Sequence, residues 1–190
     1  MDETVFIEEA KKGDKTAFEK LVFKYQQKVY NYALRMTGDP TQSEDICQEA
    51  LIKAYCSIAS FRGDSSFSTW LYRIVYNTWQ DHWRKEGRSS EMKVYFSEDA
   101  DEIKSDLTDA ASRLFYDRLR QEEIQDWIAK LITQLPQEFR TILILRDIQG
   151  FSYQEIAEIV DASIGTVKSR LNRARNQLRT ILSGFPGTFR

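Results

Sequence analysis

Apolar side chains recur three and four residues apart along most of the chain, the spacing of one helix face. Between residues 15 and 36 they are Phe18, Leu21, Val22, Tyr25, Val29, Tyr32, Ala33 and Met36. Between 40 and 60 a stripe of Ile46, Ala50, Ala54 and Ile58 runs with Leu51 and Tyr55 beside it. From 68 to 86 the pattern splits into three arcs. Leu71, Ile74 and Val75 are aliphatic, and Tyr72, Tyr76, Trp79 and Trp83 form an aromatic stripe. Arg73, Asn77, Gln80 and Arg84 are polar, with Trp70 and Asp81 at their edge. A short helix over about 3–12 completes the N-terminal set. Gly13-Asp14, Gly38-Asp39-Pro40, the loop Arg62–Ser66 and Gly87 punctuate it. Asp39 suits an N-cap, and Pro40 suits the first turn behind it. The expected unit of about 87 residues is long enough to bury its own core.

The pattern lapses after residue 87. From Glu91 to Asp109 seven acidic residues face two basic ones, with little periodicity. This predicts an exposed acidic linker over 88–112. Helical spacing returns with Leu114, Phe115, Leu119, Ile124, Trp127, Ile128, Leu131, Ile132 and Leu135, and breaks at Pro136. Phe139, Ile142, Leu143 and Leu145 follow before Gly150.

Residues 152–182 carry the most specific local pattern. Ser152-Tyr153-Gln154-Glu155 spells a capping box, and Ile156, Ala157 and Val160 give the following short helix an inner face. Asp161-Ala162-Ser163 is a tight connection, with Ser163 as the N-cap of a second helix from Ile164 to about Leu182. Two helices joined by three residues make a helix-turn-helix. Ile164, Val167, Leu171, Ala174, Leu178 and Ile181 form the core seam of the second helix. The opposite side presents Thr166, Ser169, Asn172, Arg173 and Asn176, flanked by Lys168, Arg170, Arg175 and Arg179. That helix carries five positive charges and no negative one, in a chain of net charge −2. A recognition helix sets its N-terminal residues against base edges in the major groove. Thr166, Ser169, Asn172 and Arg173 are therefore the base-contact candidates. Lys168, Arg170, Arg175 and Arg179 suit phosphates, which position without specifying.

Composition narrows the alternatives. The chain has 190 residues with 8 glycines and 3 prolines, scarce punctuation that favours long helices. Two cysteines and one histidine exclude a disulfide scaffold and a di-metal bundle with its two Glu-x-x-His motifs, and disfavour a zinc site. No apolar run approaches a membrane span, and Met1-Asp2-Glu3-Thr4 lacks the start of an export signal. A cytoplasmic protein without membrane insertion is expected. No phosphate loop, nucleophile–base pair or metal cluster marks an enzyme, and no cofactor or small-molecule substrate is called for. His82, and Cys47 and Cys56 on one helix, are read as structural. Trp70 stands apart from the aromatic stripe: a ring beside cations and amides suits base stacking on a single strand.

These motifs resemble bacterial sigma factors of the sigma-70 superfamily, of the small extracytoplasmic-function (ECF) type, along nearly the whole chain. Ser43-Glu44-Asp45-Ile46-Cys47-Gln48-Glu49 looks like the D-x-x-Q-E signature of region 2.2, and Phe67-Ser68-Thr69-Trp70-Leu71-Tyr72-Arg73-Ile74 looks like region 2.3. Asn77, Asp81 and Arg84 match the N-x-x-x-D-x-x-R spacing of region 2.4. Ser152 to Leu178 resembles region 4.2, most closely over Ile164–Leu171. The absence of a recognisable region 1.1 or full region 3 marks the ECF type. Asp161 stands where the family usually has Gly, Ser163 where it often has Pro, Val75 for an alanine, and Leu51 for an aromatic. Asp tolerates a left-handed turn, so the turn survives. Leu71 stands where primary sigma factors have a second tryptophan, which implies weaker melting and stricter sequence demand.

The resemblance implies an all-α fold of two small domains on a flexible acidic linker. Residues 1–87 would be the sigma-2 domain, which binds core polymerase and recognises and melts the −10 element. Residues 88–112 would be the linker, threading near the active-site cleft and RNA exit path. Residues 113–190 would be the sigma-4 domain, which reads the −35 element. Asp45, Gln48 and Glu49 would meet the clamp helices of core RNA polymerase. Arg62, Ser66, Phe67, Ser68, Thr69 and Trp70 would hold an extruded base of the −10 element, with Arg73, Asn77 and Arg84 on the adjoining DNA. Thr166, Lys168, Ser169, Arg170, Asn172, Arg173 and Arg175 would contact −35 duplex. The implied function is promoter recognition as a dissociable polymerase subunit, with an anti-sigma factor as expected partner. A polymerase-independent helix-turn-helix regulator is the rival. It explains residues 152–182 but not the Asp45, Gln48 and Glu49 group or the loop-aromatic unit.

Overall fold

The computed structural model describes residues 3–85 and 130–183. The acidic segment 88–112 and the helical pattern over 114–128 lie outside the described residues. Within them the chain is helical, with no strand.

The first module has four helices: α1 (Glu3–Lys11), α2 (Lys15–Thr37), α3 (Pro40–Ser57) and α4 (Phe67–Lys85). Each boundary has a local cause. The Asp14 carboxylate accepts from Thr16 N at 2.8 Å and Ala17 N at 3.2 Å, which starts α2. Gly38 takes a left-handed φ of 74° and stops it. Asp39 then accepts from Gln42 N at 3.1 Å, with Pro40 in the first turn of α3. A 3₁₀ turn, Ile58–Ser60, ends what the periodicity extended as one helix to residue 60. Ser66 Oγ accepts from Thr69 N at 3.0 Å and caps α4.

The predicted stripes are the buried ones. Val29, Tyr32, Ala50, Ala54 and Val75 are at or near zero exposure. The alanines let α3 approach its neighbours closely, while each fully buried large apolar side chain contributes about 1.5–3 kcal/mol. Tyr72 and Trp79 are buried, so half of the aromatic stripe is core. Two expectations differ. Cys56 is exposed, unlike Cys47, because its turn of α3 faces outward. Ile164, assigned to the core seam, is 43% exposed because it opens its helix beyond the edge of the core.

The second module begins with a helical turn at 130–133. Then come α5 (Gln137–Leu143), α6 (Tyr153–Val160) and α7 (Ile164–Ser183). Pro136 breaks the chain as predicted and stands as the N-cap of α5. A π-helical turn, Ile144–Ile148, extends α5, closed by Gln149 N donating to Ile144 O at 2.9 Å. The sequence pattern did not announce it. The capping box forms in both directions: Ser152 Oγ accepts from Glu155 N at 3.2 Å, and Ser152 N donates to Glu155 Oε2 at 2.8 Å. Asp161 takes the left-handed conformation at φ 50°, and Ser163 Oγ caps α7 through Thr166 N at 3.0 Å.

The two modules are packed together, a point the sequence left open. Helix α4 lies against α6, and the C-terminal end of α2 meets α5. The buried apolar residues form one continuous cluster from Ala10 to Ala174.

Candidate nucleic-acid interface

Three surfaces carry the candidate residues. The first is the N-terminal end of α4 with the loop before it. Phe61, Phe67 and Trp70 pack as a triangle of rings, with centroids 5.3 to 6.0 Å apart. Trp70 was expected at the edge of a polar arc; its ring is 7% exposed because Phe61 and Phe67 cover it. Beside the triangle lies a cavity of about 470 Å³, lined by Ser60–Ser65, Trp70 and Arg73 from the first module and by Glu158 from α6. Arg62, Ser66, Arg73, Asn77 and Arg84 are exposed, Ser68 is half-buried and Phe67 is buried. Thr69 is 1% exposed, and its hydroxyl donates to Glu155 Oε1 at 3.3 Å. Arg84 donates to Gln80 Oε1 at 3.0 Å and lies 3.6 Å from Asp81. The structure thus brings Arg62, Trp70 and Arg73 to one hollow, while Ser66, Phe67 and Thr69 lie outside its lining. Asn77 and Arg84 follow further along the helix.

The second surface is the outer face of α3. Asp45 and Gln48 are exposed there. Glu49 is turned inward to α4: its carboxylate lies 2.6 Å from His82 Nε2 and 2.8 Å from Lys53 Nζ. Lys53 also donates to Thr78 Oγ1 at 3.3 Å. The Lys53 and His82 hydrogen bonds hold the Glu49 carboxyl well below its ordinary range, at about 2.

The third surface is α7. Lys168, Ser169, Asn172, Arg173 and Arg175 are exposed, while Val167, Leu171 and Ala174 are buried behind them. Thr166 is half-buried, with its hydroxyl 2.8 Å from Ser163 Oγ. The basic residues are not equivalent. Arg170 pairs with Glu138 at 3.0 Å, and Arg175 is held by Asp147. Lys168 sits 5.7 Å from the ring centre of Tyr153. Arg173 makes no hydrogen bond or ion pair with the described residues, and its guanidinium is free for a ligand.

One residue that joins the two modules escaped the sequence reading. Arg140 is 4% exposed, and its guanidinium donates to Met36 O at 2.6 Å, Leu135 O at 3.0 Å and Thr133 O. A lone cation inside the run Phe139–Leu145 was the only available signal. Burial lowers its pKa to about 10, which leaves it charged at neutral pH. Among the described residues no group of three or more His, Cys, Asp or Glu is placed to hold a metal ion. No described helix is long and apolar enough to cross a membrane.

Comparison with known proteins addresses both modules. Residues 21–89 match Sigma-70 region 2, and residues 125–178 match Sigma-70, region 4. The RNA polymerase sigma-H factor of Pseudomonas aeruginosa is 40% identical over 90% of this chain and 89% of its own. The ECF RNA polymerase sigma-E factor of Escherichia coli K12 is 38% identical over 94% and 93%. Among solved structures, the sigma factor RpoE in complex with the anti-sigma factor NepR from Bartonella quintana superposes with a TM-score of 0.65. It is 28% identical and covers 87% of this chain and 96% of its own. CnrH in complex with the cytosolic domain of CnrY shares the fold, with a TM-score of 0.67 at 23% identity over 95% and 96%. With both regions present in order and whole-length relatives at this identity, the chain belongs to the sigma-70 family of RNA polymerase sigma factors, in its ECF subfamily.

Proposed function

We propose that this sigma factor reads its promoter by two distinct chemistries, one on each module. Residues 1–87 act as the sigma-2 domain and 113–190 as the sigma-4 domain, joined through 88–112. The loop Arg62–Ser66 with Phe67, Ser68, Thr69 and Trp70 takes an extruded −10 base. Extrusion costs a few kcal/mol, and stacking returns about 1–3 kcal/mol per base. Arg73, Asn77 and Arg84 hold the adjoining backbone. On α7, Thr166, Ser169, Asn172 and Arg173 address base edges of the −35 duplex, while Lys168, Arg170 and Arg175 address phosphates. Asp45 and Gln48, with Glu49 behind them, offer acceptors to a basic surface of core RNA polymerase.

The observation that carries this reading is that Arg62, Phe61, Trp70 and Arg73 of the first module line one hollow, away from the exposed polar side of α7. A duplex-binding regulator has no use for it. The fold shared with a sigma factor solved in complex with an anti-sigma factor supports an anti-sigma partner here too. The protein acts in the cytoplasm, with promoter DNA and core polymerase as its partners and without catalysis of its own. Run-off transcription with core polymerase on a genomic fragment library tests this. Defined start sites that need both components are expected. Duplex binding without core enzyme, and no change in start sites with it, would overturn the reading.

A further inference from the structure

Helix α1 stands behind the hollow at Trp70 and outside its lining. The Tyr25 hydroxyl of α2 donates to the Glu3 carboxylate of α1, 3.0 Å from each of its oxygens, and Lys24 pairs with the same carboxylate. Tyr25 is 8% exposed, and its ring meets the Phe67 ring at 5.5 Å between centroids. Phe67 in turn packs on Phe61 and Trp70, the two rings that line the hollow. The same helix α1 also packs on the 3₁₀ turn Ile58–Ser60, which leads straight into Phe61 and Arg62. Both routes from α1 end at the walls of the hollow. Burial, with the Glu3 hydrogen bond, pushes the tyrosine's pKa far up, so its hydroxyl keeps the proton and remains a donor. Held by its hydroxyl at one end and by Phe67 on its ring, Tyr25 has one seat. Close-packed rings pass that position on to Trp70.

We propose that α1 is the buttress of the strand hollow, with Glu3 and Tyr25 as positioning residues that preset Phe61 and Trp70 for an extruded −10 base. Neither touches DNA, and both act through Phe67. The inference rests on reading the α4 hollow as the strand site. A site held in its binding shape before the strand arrives loses less conformational freedom on capture, so affinity rises without a new contact. Polymerase docking and −35 reading do not pass through Tyr25. Asp45 and Gln48 are exposed on α3, and Ser169, Asn172 and Arg173 are exposed on α7. The buttress therefore acts on strand capture alone.

The test uses the full chain bound to core polymerase and a promoter mapped by run-off transcription. An adenine of its −10 element is replaced by 2-aminopurine, whose fluorescence rises when the base leaves the stack. The half-saturating holoenzyme concentration is read from that signal. Tyr25→Phe, which keeps the ring and removes only the hydroxyl, should raise it about fivefold, and so should Glu3→Ala. The two changes together should cost no more than either alone, because they break one interaction. Glu3→Gln, which still offers an acceptor, should stay within about twofold of the wild type. So should Glu8→Ala, which breaks the Glu8–Lys11 pair of the same helix. Affinities for core polymerase and for the −35 duplex should stay within about twofold in every variant. A Tyr25→Phe protein within about twofold of the wild type would overturn the buttress. An equal loss in Glu8→Ala, or equal losses in all three affinities, would do so too, since each marks general destabilisation. Arg73→Ala separates the two readings. If it weakens the signal while Tyr25→Phe does not, the hollow remains the strand site and only the buttress falls. If Arg73→Ala has no effect, the strand site is misplaced and both fall.

Discussion

Arg175 grips Asp147 with two hydrogen bonds, Nε to Oδ2 at 3.1 Å and Nη2 to Oδ1 at 2.5 Å. The pair ties α7 to the π-helical turn after α5, and such bidentate pairs are geometrically selective. A guanidinium held this way must give up part of that pairing to reach a phosphate, so its net contribution is smaller than that of an unpaired one. Each phosphate neutralised adds about 0.9 to the slope of log affinity against log salt. Arg179→Ala should therefore reduce the slope on −35 duplex by about that much. Arg175→Ala should reduce it by less than half as much, and Asp147→Asn should steepen it. Salt titrations by fluorescence anisotropy check all three. Equal losses for Arg175→Ala and Arg179→Ala would show that the pair opens on DNA.

Arg173 has no such tie and projects from the exposed side of α7. Arg173→Ala should lower discrimination between the −35 duplex and a scrambled duplex by about 1–3 kcal/mol, the worth of one good base contact. Arg179→Ala should weaken both duplexes alike. Competition binding on the two sequences separates the cases; identical behaviour of the variants would refute the assignment.

Glu49 serves α4 as much as any partner. Asp45→Ala and Gln48→Ala should lower affinity for core polymerase and leave the melting temperature within a degree or two, because both side chains point to solvent. Glu49→Ala should also lower the melting temperature, since it removes the acceptor of His82 and Lys53. The carboxyl's pKa is depressed in the folded protein, so its stabilising effect is full above the unfolded value near 4.5. That effect is lost as pH falls from there toward about 2. Glu49→Gln should flatten the fall of stability below pH 4.5, measured by urea unfolding across pH. An unchanged acid limb would rule out the pin.

Arg140 couples two parts of the chain that lie 104 residues apart. Arg140→Ala leaves buried carbonyls without this donor, at about 1–3 kcal/mol for each one left unsatisfied. Met36 belongs to the first module and Thr133 and Leu135 to the second. Loss of the arginine should therefore split a single unfolding transition into two. Calorimetry on the full chain reads this directly. One transition at the wild-type midpoint would show that Arg140 links nothing.

Much of this protein was legible in its residues. Helix positions followed from spacing, because a helix buries one side and the buried side must be apolar. Helix ends followed from Asp14, Asp39, Ser152 and Ser163, whose side chains answer backbone N–H groups only a few residues away. The left-handed turn at Asp161 was foreseeable on the same local ground. The exposed polar side of α7, with Ser169, Asn172 and Arg173 outward and Val167, Leu171 and Ala174 inward, was read from order alone.

Other facts needed the fold. No pattern along the chain pairs Asp147 with Arg175, Glu49 with His82, or Arg140 with Met36, because each partner arrives from a remote helix. Trp70 sat at the edge of a polar arc by spacing, yet Phe61 and Phe67 enclose it, since a helix wheel does not know which loop folds over it. The sequence by itself determined which residues make helices, and which sides of those helices are apolar or basic, because those properties are local and periodic. Only the tertiary structure decided that the two modules close on each other through Tyr72, Gln149, Thr69 and Glu155. Contacts between distant surfaces depend on shape and charge in three dimensions, which linear spacing does not encode.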